Sequence, residues 1–220
     1  MLQLNKQLMK KFLSEFLATF FLVFAGTGAI VINQQSGGAI THLGIAVTFG
    51  LVVTAMIYAF AEYSGAHMNP AVTIAFATGN MFPKKEIPLY IIAQLSGAFT
   101  ASFLLRVLFP TNITLGSTLP AGSGIQSFVL ELILTFFLMF TVLSTTKKKN
   151  YYAPVAIGFV VLLEALFAGP ICGASMNPAR SLAPAIVSGN LQFLWIYLAA
   201  PISGAIIAMF VFKFFNSFEQ

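Results

Sequence analysis

Charged side chains are scarce in this sequence. They make up 8% of its 220 residues, while 58% of the residues are hydrophobic and the mean hydropathy is +0.90. In soluble globular proteins roughly a quarter of all residues are charged, because polar side chains have to cover the surface. The composition therefore excludes a soluble globule and predicts an integral membrane protein.

Cysteine is almost absent as well. The single cysteine, Cys172, excludes an intrachain disulfide and a cysteine-based metal site. His67 has no second His or Cys at a spacing suited to metal ligation, and no nucleophile–base pair occurs. We therefore expect no cofactor, no bound metal and no enzymatic activity. Cys172 is either a small core residue or, because it lies five residues before Asn177, a residue close to a transport path.

Long apolar runs are abundant. Six are long enough to cross a bilayer, which takes about 20 residues, and they lie near 12–32, 43–62, 88–108, 125–145, 152–170 and 192–213. Two further apolar pieces, 69–80 and 177–188, are too short to cross, and each begins with Asn-Pro. Asn is a good N-cap and Pro suits the first helical position. These pieces therefore predict re-entrant half-helices that enter the membrane and stop midway.

The two half-helices belong to an internal repeat. SGAHMNPAVT at 64–73 recurs as CGASMNPARS at 172–181, EFLATFFL at 15–22 as ELILTFFL at 131–138, and AQLSGA at 93–98 as APISGA at 200–205. Three crossings and a half-helix per copy make an odd number, so the copies lie in opposite orientations. We expect an all-α membrane protein forming one channel domain over 1–220, with repeat 1 at about 1–110 and repeat 2 at about 124–220.

The lysines predict the orientation. Six crossings place them on one side of the membrane: Lys6, Lys10, Lys11, Lys84, Lys85, Lys147 to Lys149, and Lys213. Segments 33–42, 109–124 and 188–191 carry no Lys or Arg. By the positive-inside rule we expect both termini to be cytoplasmic, and we expect the chain to lie in the plasma (cell inner) membrane. Such scattered clusters also argue against nucleic-acid binding, despite a formal net charge of +5.

Opposite orientation brings the N-termini of the two half-helices together near the membrane midplane. Non-helical backbone at that depth is tolerated only where protein buries it or water lines it, so we expect it to line a wet path. The predicted lining residues are Gly65, Ala66, His67, Met68, Gly173, Ser175 and Met176. Each half-helix N-terminus presents about half a positive charge, and the Asn69 and Asn177 amides add donors. The arrangement favours small neutral molecules over cations.

The two motifs, Asn69-Pro70-Ala71 and Asn177-Pro178-Ala179, together with Glu-X-X-X-Thr-Phe in the first and fourth spans, resemble the aquaporin (major intrinsic protein) family over essentially the whole chain. The resemblance implies the aquaporin fold, with one pore per subunit in the lipid bilayer. It further implies a homotetramer and passive conduction of water, with small uncharged solutes, while protons and ions are excluded. The alternatives are a facilitator of glycerol, urea or metalloid acids and, more remotely, a proton-coupled secondary transporter.

The resemblance also implies a selectivity filter at four positions, Phe49, Ala165, Ala174 and Arg180. Orthodox water channels carry His at the Ala165 position and often Thr or Cys at the Ala174 position. Two alanines predict a wider and less polar constriction, while the Trp, Gly and second aromatic of glycerol facilitators are also absent. Ser181 and Ala185 resemble water channels, whereas Tyr197-Leu198 resembles the glycerol or nodulin-like branches. We expect an intermediate filter.

Apart from Glu62 at the end of the second span, three glutamates lie within the predicted spans. Glu15 and Glu131 occupy equivalent positions in the repeats and are interpreted as holding backbone amides of the re-entrant loops, rather than as a proton relay. Glu164 is interpreted as a buried acceptor for the second loop, the alternative being a pore-facing acid. Arg106, near the outer end of its span, is expected to be structural or to face lipid headgroups. Small residues are expected where helices cross closely, namely Gly50, Gly97, Gly158 and Gly204.

Overall fold

The computed structural model describes residues 2–147 and 150–218, and regular structure within these ranges is helical. Eight α-helices follow in order: α1 (Leu2–Gln35), α2 (Thr41–Ser64), α3 (Pro70–Thr78), α4 (Ile87–Leu108), α5 (Gly124–Thr146), α6 (Ala153–Cys172), α7 (Pro178–Ser188) and α8 (Leu194–Ser217). A short 3₁₀ turn, Lys84–Glu86, precedes α4. Lys148 and Lys149, which we used to predict orientation, lie outside the described residues.

The six predicted spans are confirmed. Among the described residues, six helices are long and apolar enough to cross a membrane. Helix α1 starts at Leu2, well before the expected residue 12, and so includes polar residues that precede the apolar span. Lys11 there pairs with Glu86 in the 3₁₀ turn at 2.6 Å.

The two half-helices are also present, and their sequences explain where they begin. Asn69 has extended φ and ψ angles of −154° and 118°, and its side chain accepts the N–H of Ala71. Asn177 does the same with φ −149° and ψ 109°, accepting from Ala179 and Arg180. A proline follows each asparagine at the first helical position, where its missing N–H costs nothing. Helix α3 ends at Thr78, two residues before the predicted end, and α7 ends at Ser188 as predicted.

Each half-helix packs on a long helix from the other half of the chain. Helix α3 lies against α8, and α7 lies against α4. The α3 interface is an apolar cluster from α3, α5 and α8, formed by Ala71, Val72, Ala75, Met139, Leu143, Ala205, Ala208, Met209 and Phe212. Neither half could therefore bury its own half-helix without the other.

Glycines set the closest helix crossings, as predicted. A Cβ atom on Gly50 of α2 would lie 2.7 Å from the carbonyl oxygen of Gly158 on α6. A Cβ on Gly97 of α4 would collide with the carbonyl oxygen of Phe16 on α1, and one on Gly204 of α8 with that of Leu132 on α5. These contacts are with backbone, which cannot move aside as a flexible side chain can. The three packed pairs α1 with α4, α2 with α6 and α5 with α8 thus depend on glycine.

We predict that Gly97→Ala destabilises the protein by about 1–3 kcal/mol, because the new methyl group forces α1 and α4 apart. Gly28→Ala is the matched control in the same helix pair, since its Cβ would meet only Leu105 Cδ2 at 3.5 Å. The control should keep or raise stability through its better helix propensity. Thermal unfolding in detergent, followed by circular dichroism, measures both. Equal unfolding midpoints for the two variants would contradict the proposed role of the crossing.

Candidate functional site

The two loops that precede the half-helices have the same unusual backbone. Positive φ angles occur at Gly65 (87°), Ala66 (48°) and Met68 (52°) in the first loop, and at Gly173 (87°), Ala174 (42°) and Met176 (54°) in the second. Alanine and methionine rarely adopt this region, and each such residue costs about 1–3 kcal/mol. The loops therefore need strong contacts to hold them in place.

Two fully buried glutamates supply those contacts. The bonded amides belong to equivalent residues of the loops: His67 (2.9 Å) and Met68 (2.8 Å) donate to Glu15 of α1, and Ser175 (2.7 Å) and Met176 (2.8 Å) donate to Glu131 of α5. Both glutamates are 0% exposed. In each case the two carboxylate oxygens accept two successive backbone N–H groups. These are the contacts that the repeat led us to expect of Glu15 and Glu131.

Glu164 does not share this role, which corrects our expectation. It is 8% exposed, and its Oε2 atom has no hydrogen-bond partner within 2–147 and 150–218. The second loop's amides are already bonded to both oxygens of Glu131, so no donor remains for a second carboxylate. Glu164 is also absent from the residues that line the central cavity, whereas its neighbour Ala165 is present. Successive helical residues point about 100° apart, which accounts for the difference.

The asparagines of the two motifs join the loops to each other. Asn69 Nδ2 donates to the carbonyl oxygen of Met176 at 2.8 Å, and Asn177 Nδ2 donates to that of Met68 at 2.7 Å. Each side-chain amide has a second N–H, and both asparagines line the cavity. The two half-helices therefore begin side by side, each with an amide donor available to a molecule in the cavity.

A cavity of about 1020 Å³ passes between the two loops. One part is lined by Phe49, Ala165, Ala174 and Arg180, and another by Glu62, Thr146, Asn150 and Tyr151. Of the predicted loop residues, Gly65, Ala66, His67, Met68, Ser175 and Met176 line it.

Gly173 was predicted to line the path and does not. Its left-handed conformation ends α6, and a Cβ there would lie 2.9 Å from Thr118 Cγ2, so the connection between α4 and α5 covers it. Cys172 is fully buried and also outside the lining, in agreement with the core-residue interpretation.

The other residues of the motifs lie behind the asparagines. Pro70 and Pro178 begin the half-helices, while Ala71 and Ala179 are fully buried. They shape the path by holding the asparagines rather than by contacting its contents.

Arg180 is the one arginine of the cavity lining, and it is 2% exposed. Its Nη1 donates to the carbonyl oxygen of Gly116 at 2.8 Å, and its guanidinium carbon lies 5.1 Å from the centre of the Phe49 ring. Arginine over an aromatic face is attracted to the ring. A fixed positive charge thus faces the part of the cavity that Phe49 lines.

Sequence reasoning missed a pair of tyrosines. The Tyr90 hydroxyl donates to the carbonyl oxygen of Ser64, and the Tyr197 hydroxyl donates to that of Cys172, both at 2.7 Å. These carbonyls end α2 and α6, where helical partners run out. The signal was present, since Tyr90 and Tyr197 each lie three residues before the AQLSGA and APISGA repeat units.

His67 differs from its counterpart, Ser175. Its Nδ1 lies 3.0 Å from Thr73 Oγ1, and its ring contacts those of Phe76, Phe82 and Tyr90 at 5.0–5.1 Å between centroids. No group of three or more metal-ligating side chains occurs within the described ranges.

The fold and cavity can now be compared with known proteins. The family model of the major intrinsic proteins matches residues 3–212. The chain belongs to the major intrinsic protein family. It is 46% identical over 208 residues to aquaporin NIP1-1 of Oryza sativa subsp. japonica, covering 93% of this chain and 73% of that protein. It is 45% identical over 209 residues to nodulin-26 of Glycine max, covering 93% and 77%.

Solved structures agree. The X-ray structure of the aquaglyceroporin from Plasmodium falciparum superposes with a TM-score of 0.86 at 27% identity, covering 94% of this chain and 96% of that one. As a major intrinsic protein, the chain is a multi-pass membrane channel for water and small uncharged solutes, and it is not an enzyme. Membership of a family of passive channels argues against the proton-coupled alternative.

We predict that Glu131→Gln lowers stability by about 1–3 kcal/mol, because glutamine turns an amide toward a backbone N–H that needs an acceptor. Glu164→Gln is the matched control, since it neutralises a second buried carboxylate, whose Oε2 atom has no hydrogen-bond partner in the described chain. The control should leave stability unchanged or raise it. Unfolding midpoints in detergent test the pair, and a larger loss for Glu164→Gln would mean that the two glutamates have been assigned the wrong roles.

Proposed function

We propose that this chain is a water channel whose constriction also admits uncharged solutes about the size of glycerol. The observation that carries the proposal is the meeting of four residues from separate parts of the sequence, Phe49, Ala165, Ala174 and Arg180, on one cavity. We propose that they form the selectivity filter. The names of the similar proteins, an aquaporin and an aquaglyceroporin, support the same pair of substrates.

The filter chemistry follows from these side chains. Arg180 offers a fixed donor to a water or hydroxyl oxygen, and its charge repels cations. Phe49 provides one apolar wall against which the carbon backbone of a polyol can lie. Ala165 and Ala174 occupy little volume and offer no side-chain hydrogen bonds. The resulting constriction is half polar, and its two alanines leave it wider than histidine and threonine would at the same positions.

The midplane provides a second barrier to ions. The N-termini of α3 and α7 lie side by side through the asparagine bonds and present positive partial charges, with no carboxylate among the lining residues at that level. Water can turn its oxygen to the Asn69 and Asn177 amides, whereas a hydronium or metal ion finds no compensating charge. We infer that protons and cations are excluded there.

Location and assembly are part of the proposal. The lysine distribution supports cytoplasmic termini in the plasma or cell inner membrane. Large exposed apolar side chains on the long helices, such as Phe159, Phe167 and Phe210, supply faces for lipid and for neighbouring subunits of a homotetramer. The packing of each half-helix on the opposite repeat supports one channel domain across 1–220.

Stopped-flow light scattering on proteoliposomes tests the substrates directly. We expect osmotic water permeability well above that of empty vesicles, and re-swelling in a glycerol gradient. The absence of glycerol flux beside clear water flux would reject the wider filter, and the absence of both would reject the proposed substrates altogether.

We predict that Ala165→His reduces glycerol flux by about tenfold and affects water flux much less. The reason is that the imidazole ring makes the constriction narrower than a polyol. Ala165→Ser is the control, since it adds a hydroxyl with little volume. Both fluxes are measured on the same vesicles, normalised to protein content. Proportional losses of water and glycerol would place position 165 outside the constriction.

A further inference from the structure

Arg106 makes contacts that neither a headgroup-facing nor a purely lipid-facing arginine would make. It lies in the last turn of α4. Its Nη1 donates to the carbonyl oxygens of Asn112 (2.8 Å) and Pro110 (3.3 Å), and its Nη2 donates to that of Val187 (3.3 Å). The only ion pair among the described residues is elsewhere, so backbone carbonyls alone compensate this charge. The planar fork of arginine suits such a cluster of acceptors.

Two of these acceptors belong to the segment that holds Arg180. This segment, 109–116, runs from the end of α4 to Gly116, the residue whose carbonyl accepts from the Arg180 guanidinium. Asn112 stabilises it by accepting from Leu115 N at 2.7 Å. Gly116 itself has a φ of 68°, and a Cβ there would lie 2.8 Å from Thr27 Cβ on α1, so the carbonyl is held in a tight fit.

The third acceptor belongs to the helix that carries Arg180. Val187 is the last residue but one of α7, and Arg180 is the third residue of the same helix. The final carbonyls of a helix lack helical partners, and a cation there is favourable. Arg106 therefore contacts both the helix on which Arg180 is mounted and the segment that supplies its acceptor.

The guanidinium of Arg180 has few other restraints. Within the described ranges, Gly116 O is the one acceptor bonded to it, and Nε has no partner. Phe49 attracts the guanidinium without fixing it along the cavity. A shift of 109–116 relative to α7 would therefore move the charged group in the constriction.

We propose that Arg106 is a positioning residue for solute selectivity, which acts by fixing segment 109–116 and the end of α7 so that Gly116 holds Arg180 in the constriction. The inference rests on the filter role of Arg180 proposed above. Arg106 is absent from the cavity lining. It therefore affects the discrimination between solutes through Arg180 and not by touching a solute.

The internal repeat offers a matched control. Lys213 of α8 occupies the place in the second repeat that Arg106 has in the first, taking the AQLSGA and APISGA units as the register. It is exposed, and no hydrogen bond to it is found in the described chain. Lys213→Gln removes a basic residue at the equivalent helical position without touching 109–116 or α7.

The experiment measures the glycerol-to-water permeability ratio in proteoliposomes for wild type, Arg106→Gln, Arg180→Ala, the double variant and Lys213→Gln. We expect Arg106→Gln to raise the ratio by about fivefold, the scale of one weakened charge-assisted hydrogen bond. Arg180→Ala should also raise it, and adding Arg106→Gln to Arg180→Ala should change it no further. Lys213→Gln should match wild type.

The outcomes separate the inference from the function on which it rests. If Arg180→Ala leaves the ratio unchanged, the proposed filter fails and the inference fails with it. If Arg180→Ala raises the ratio but Arg106→Gln does not, only the inference is overturned. The same holds if Arg106→Gln raises the ratio as much in the Arg180→Ala background as it does in the wild type. Should Arg106→Gln not fold, Arg106→Lys keeps the charge without the fork. A ratio raised in Arg106→Lys supports the inference, and an unchanged ratio overturns it.

Discussion

Satisfying the backbone of two loops inside a bilayer is the constraint from which the rest of this structure follows. Lipid offers no hydrogen bonds, so each N–H and C=O that leaves helical geometry needs a partner from the protein. Glu15 and Glu131 accept the loop amides, and Tyr90 and Tyr197 donate to the helix-ending carbonyls. A buried carboxylate is costly in itself. It is tolerated because two backbone donors converge on it.

The same requirement explains why the two repeats cannot be separated. Each asparagine donates to a carbonyl of the other loop, and each half-helix packs on a long helix of the other repeat. Close crossings at glycine bring the long helices near enough for these bonds to form. An inverted pair of three-helix units thus becomes one body with a path along the line where its loops meet.

We infer that selectivity arises where the repeats differ. When the two motifs are aligned, Arg180 corresponds to Val72 and Phe49 corresponds to Ile157. One part of the cavity therefore has a charge and an aromatic ring where the equivalent part of the other repeat has aliphatic side chains. Arg106 bonds the segment that holds Arg180, whereas its counterpart in the second repeat, Lys213, is exposed and has no hydrogen bond in the described chain. The repeat forms the path, and we infer that the differences between its two copies govern which solutes pass.

The sequence by itself determined the six spans, the two half-helices, their inversion and the two loop-holding glutamates, because hydrophobic length, capping chemistry and an internal repeat are all local or periodic signals. The tertiary structure alone decided the roles of residues whose partners are distant in the chain. Glu164 looked like a third acceptor until Glu131 was seen to occupy both loop amides, and Gly173 looked pore-lining until Thr118 was seen to cover it. For Arg106 the sequence left a structural and a headgroup-facing role open, since backbone carbonyls are present everywhere and only folding brings three of them to one guanidinium.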